Sequence, residues 1–145
     1  MSDLYELQLS LDLPADLSDD ELSSLRRHLG VEGHGPSVDM DDPDNWPLFS
    51  ERGPASRIGG ILTGDLQQSP RGWSLTVRQE IHPDGFSPLD SLLTWLGSRT
   101  TTIGTVGSLR FLEEDVPDLF VAEAGSLTRV TLKQQHAEST LLPYE

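Results

Sequence analysis

The sequence predicts an α+β fold, a two-layer sandwich with helices lying across one face of an antiparallel sheet. Three observations predict it. Several segments alternate apolar and polar residues, the period of a half-buried strand. Two segments carry leucines at helical spacing. Their order along the chain is strand, helix, strand, strand, helix, strand, and packing both leucine stripes on one sheet face would bury them.

The first strand is clear. Tyr5, Leu7, Leu9, Leu11 and Leu13 alternate with Glu6, Gln8, Ser10 and Asp12, and Pro14 ends the run. Ser18-Asp19-Asp20-Glu21 then reads as a capping box, with Leu17 and Leu22 placed as a hydrophobic staple. Leu22, Leu25 and Leu29 form the buried stripe of this helix. Arg26, Arg27 and His28 suit its negative end, and Gly30 closes it. Between residues 31 and 57 neither period is visible, and Gly, Pro and Asp dominate. So long an irregular insertion is either functional or mobile. Trp46, Leu48 and Phe49 are its anchors to the body.

Ile58 to Leu66 reads as the second strand, with Gly59, Gly60 and Gly64 marking bulges or close backbone approach. Ser69-Pro70-Arg71-Gly72 supplies a turn. The next strand alternates Trp73, Leu75, Val77 and Ile81 with Ser74, Thr76, Arg78 and Glu80, and only Gln79 breaks its apolar face. His82-Pro83-Asp84-Gly85 forms a corner. Ser87-Pro88 opens a helix striped by Leu89, Leu92, Leu93 and Leu96, with Gly97 as its C-terminal glycine. Val106 to Glu113, Leu119 to Ala122 and Leu127 to Leu132 are further strands, the last two joined through Ala124-Gly125-Ser126. Residues 133–145 read as a loose or docked tail. The whole is a single domain, 1–145, in the βαββαβ order of ferredoxin-like folds with one or two extra C-terminal strands.

Composition narrows the function. The chain has 24 acidic residues against 10 basic ones, for a net charge of −14. Such a surface repels phosphate backbones and anionic bilayers, so nucleic acid and membranes are poor partners. Without cysteine, disulfides and thiolate chemistry are excluded. The first residues lack a signal-peptide pattern, and no apolar run reaches the length of a membrane span, so the expected compartment is the cytoplasm.

Candidate sites fall into two groups. The acidic run Asp39, Asp41, Asp42 and Asp44, followed by Trp46, is the candidate interaction loop. It lacks the glycine and closing glutamate of a calcium loop, so no metal is assigned. The second group, Tyr5, Trp73, Val77, Arg78, His82 and Phe111, would line a pocket between sheet and helices. None of His28, His34, His82 and His136 has zinc-type spacing, and no nucleophile elbow or phosphate-binding loop is present. No cofactor is expected and catalysis is disfavoured. The expected function is a small acidic module that binds a basic protein surface, as an inhibitor, immunity-type or accessory protein; a homodimer is compatible with it. The alternative is a small-molecule binder or enzyme using the pocket.

Overall fold

A computed structural model describes residues 3–31 and 47–132. The acidic run 39–44, Trp46 and the tail 133–145 lie outside the described residues. The elements are β1 (Tyr5–Pro14), α1 (Asp19–His28), β2 (Gly53–Pro54), β3 (Ile61–Ser69), β4 (Gly72–Ile81), a 3-10 turn (Pro83–Gly85), α2 (Phe86–Arg99), β5 (Gly104–Phe111), β6 (Asp118–Glu123) and β7 (Ser126–Thr131).

The strands form one seven-stranded antiparallel sheet in the order β2-β3-β4-β1-β5-β6-β7. β1 is central: Leu9 lies opposite Val77 on one side and Gly107 on the other. Its odd-numbered leucines join Leu25 and Leu29 of α1 and Leu89, Leu93 and Leu96 of α2 in a single buried cluster. Each fully buried leucine contributes roughly 1.5–3 kcal/mol. The even-numbered positions turn to the other face, where Glu6 bridges Arg78 (2.7 Å) and Arg110 (3.2 Å) across three strands.

The capping box forms as the residue types require. The Ser18 hydroxyl accepts from the Glu21 amide at 3.1 Å, and the Glu21 carboxylate accepts from the Ser18 amide at 2.9 Å. Leu17 and Leu22 are both buried.

Three expectations are corrected. β3 begins at Ile61, not Ile58, because Gly59 and Gly60 adopt φ of +81° and +73° and the chain before them wraps a carboxylate. A two-residue strand, β2, appears where no strand pattern is legible. Gly97 does not end its helix, which runs on to Arg99. Its lack of a side chain serves packing instead: a Cβ there would lie 2.6 Å from Leu127 Cβ and 2.8 Å from the Leu127 amide nitrogen.

Candidate functional site

The most elaborated concavity lies where β4 ends. It has a volume of about 300 Å³ and is lined by Leu48, Glu51, Gln79, Glu80, His82 and Asp84 among others. Each wall has a local cause. Leu48 and Phe49 are buried and pull residues 47–52 onto the body. The Phe49 amide donates to the His28 carbonyl at 2.8 Å, and the Leu48 amide donates to His28 Nδ1 at 3.3 Å. Arg52 fastens the same segment, donating to the carbonyls of Phe49, Glu51, Leu29 and Gly64.

Gln79 holds the floor. It is 1% exposed and faces the leucine core, so its amide must be fully partnered. Its Oε1 accepts from the Glu51 amide at 3.0 Å, while Nε2 donates to the Glu51 carbonyl (2.9 Å) and the Thr63 carbonyl (3.0 Å). One side chain thus pairs with residue 51 much as a neighbouring strand would.

Glu80 holds the opposite rim. Its carboxylate accepts three backbone amides, from Ser56 (3.0 Å), Arg57 (2.7 Å) and Ile58 (3.1 Å). Burial pushes its pKa upward, but the amides of Arg57, Ser56 and Ile58 and the charge of Arg78 outweigh this and hold it below the ordinary carboxylate range. Glu51 behaves oppositely. Burial, then the charge of Glu80, raise its pKa, and the nearby His82 only partly offsets them. The cleft therefore holds one carboxylate occupied by amides and another disfavoured in its charged form by burial first and by the charge of Glu80 second. Opposed shifts of this kind can serve acid–base chemistry. Here Glu80 is committed to the 56–58 backbone, and no group of three metal-ligating side chains occurs among the described residues.

The predicted pocket residues do not share one site. Tyr5 packs edge-on to Phe86 at 4.8 Å and beside Phe111 at 5.1 Å. Trp73 pairs with Leu13, eight residues further along β1 than Tyr5, which is about 26 Å of strand. There Arg26 lies over its ring at 5.5 Å. Val77 is sealed in the core, and Arg78 points to the other face against Glu6. Only His82 reaches the cleft. The space between sheet and helices, where the pocket was expected, is filled by leucines.

Glu51, Glu80 and Asp84 carry no sequence signal that singles them out. Gln79 does, as the one polar residue on an apolar strand face. Other concavities lie elsewhere on the described surface. One of about 350 Å³ runs between the helices over Leu25, Leu92 and Trp95. Another of about 580 Å³ lies on the open sheet face over Gln8, Ser10, Thr63 and Thr76.

No helix among the described residues is long and apolar enough to cross a membrane. Comparison with protein-family models, with curated proteins and with solved structures finds no match.

Proposed function

We propose that this chain is a small acidic protein-binding module that receives a basic surface of a partner protein, with the cleft at the end of β4 as the centre of contact. The observation that carries this reading is that five of its arginines are already held by carboxylates or backbone carbonyls while many of its acids are exposed. Arg78 and Arg110 are held by Glu6, Arg99 by Glu21, Arg129 by Asp118, and Arg52 by backbone carbonyls. Asp16, Asp19, Asp20, Asp84, Asp90 and Glu123 remain exposed. Charge so arranged steers a basic partner and disfavours an acidic one. At the cleft, a lysine or arginine side chain would counter the charge of Glu80 that acts on Glu51.

On the same reading, β1, α1, β3, β4, α2 and β5 make a ferredoxin-like unit extended by β2 at one edge and by β6 and β7 at the other. That assignment concerns architecture and carries no function by itself.

The test is capture from a native lysate across a salt series, using wild type, the double variant Glu51→Lys/Asp84→Lys and the double variant Asp16→Lys/Glu123→Lys. Both variants change the net charge equally. The reading expects basic proteins that are retained at low salt, released at high salt, and lost selectively from the cleft variant. Equal capture by the two variants would remove the cleft from the account, and capture of no basic protein would remove the function.

A further inference from the structure

The two edges of the sheet are built differently. One ends in β2, two residues long and containing Pro54, which has no amide hydrogen to offer. The other ends in β7, six residues long, with Thr128, Val130 and Thr131 β-branched and no proline, lysine or bulge within it. The one charged residue of β7, Arg129, is paired with Asp118, which leaves little to blunt that edge, and such an edge is a template for another strand.

The turn fixes which backbone groups face outward. Ala124 and Gly125 both have positive φ, 42° and 86°, and connect the opposed residues Glu123 and Ser126. This is a two-residue hairpin turn of the primed type, so Glu123 and Ser126 exchange hydrogen bonds and the pattern alternates from there. Ser126, Thr128 and Val130 bond to β6. Leu127, Arg129 and Thr131 direct their amides and carbonyls away from the sheet.

Charge selects the occupant. In a chain of net charge −14, no acid occurs from Ala124 through Leu132. The single base in β7, Arg129, is already held by Asp118 at 2.7 Å. An acidic or basic strand gains no new ion pair at this edge, whereas a neutral β-branched strand meets no repulsion, and β7 is itself such a strand. Register follows from the side chains. A twofold axis at Arg129 would set two guanidinium groups directly opposite, which is destabilising. An axis at Thr128 would oppose Val130 to Ser126 and leave Leu132, 44% exposed, beyond the pairing. An axis at Val130 opposes valine to valine, Arg129 to Thr131, and Thr128 to Leu132 of the second copy. It also extends the apolar strip begun by Leu119, which is paired with Val130 on the open face.

We propose that β7 pairs antiparallel with β7 of a second copy of this chain about a twofold axis at Val130, joining two sheets into one. The proposal is independent of the cleft, which lies at the other side of the sheet. It also has the opposite salt dependence. Two anionic copies repel at long range, so salt strengthens this association while it weakens capture of a basic partner.

The experiment uses the full chain. Val130→Cys introduces the only thiol in a protein without cysteine. A non-hydrogen-bonded antiparallel pair sets its Cα atoms about 4.5 Å apart, inside the roughly 4.4–6.8 Å that a disulfide spans. Mild oxidation is expected to give a covalent dimer with Val130→Cys and none with Thr128→Cys. Sedimentation of the wild type is expected to show dimer that increases with concentration and with salt. Val130→Lys is expected to weaken it about fivefold. A monomer at every concentration without Val130→Cys cross-linking overturns the proposal, and cross-linking of Thr128→Cys as readily as Val130→Cys overturns the register. The cross-linking comparison stands even if Val130→Lys fails to fold.

Discussion

Gly97→Ala sets two well-measured effects against each other. Within a helix, alanine is favoured over glycine by about 1 kcal/mol, so propensity alone predicts stabilisation. Packing predicts the reverse. The added Cβ would stand 2.6 Å from Leu127 Cβ, 2.8 Å from its nitrogen and 3.2 Å from its Cα. Two of these three atoms are backbone of β7, so no rotamer change relieves the contact. β7 or α2 must move, and such overpacking costs about 1–3 kcal/mol. The net expectation is a loss of about 1 kcal/mol, or about 2–4 °C in melting temperature for a chain of this size. Urea and thermal unfolding measure it, with the exposed helical Ser91→Ala as a control that should gain a few tenths of a kcal/mol. A more stable Gly97→Ala would refute the close approach of α2 to β7.

Ser18→Ala removes one half of the capping box and should cost about 1 kcal/mol in urea unfolding. Glu6→Leu deprives Arg78 and Arg110 of their shared carboxylate; with those side chains 22% and 26% exposed, the loss should be about 1–3 kcal/mol. The pH profile carries two opposite signs. The pKa of Glu51 is raised in the folded state, so its charge opposes folding at neutral pH, and stability rises as pH falls through that raised value. The pKa of Glu80 is lowered, so its contribution is complete above the ordinary glutamate range and disappears as pH falls through the lowered value. Urea midpoints followed from neutral to strongly acid pH should pass through a maximum, with Glu51→Gln flattening the first rise and Glu80→Gln reducing the acid loss.

Much of the fold was legible because it rests on local patterns. The alternation in β1 and β4, the Ser18–Glu21 box and the Ala124-Gly125 turn each depend on residues near in sequence, and each appears where the pattern put it. What was not legible depends on distant partners. Gly97 resembles a helix terminator in sequence, and only the arrival of Leu127 shows it to be a contact point. Glu80 reads as an ordinary exposed strand residue until the chain before β3 closes three amides around it. Gln79 was visible as an irregularity, yet its partners at Glu51 and Thr63 lie 28 and 16 residues away. The predicted pocket failed to assemble because alternation assigns a face but not a position along the strand. Tyr5 and Trp73 share a face at opposite ends, and Arg78 belongs to the other face.

The central question is whether the β4-end cleft, and not the overall negative charge, recognises a cation-bearing partner. Titration calorimetry with an oligoarginine peptide isolates that question, using the wild type and the two double-lysine variants of equal net charge. The expected result is salt-sensitive binding that Asp16→Lys/Glu123→Lys largely retains and Glu51→Lys/Asp84→Lys loses. Equal weakening in both variants would contradict it, leaving only a diffuse anionic surface.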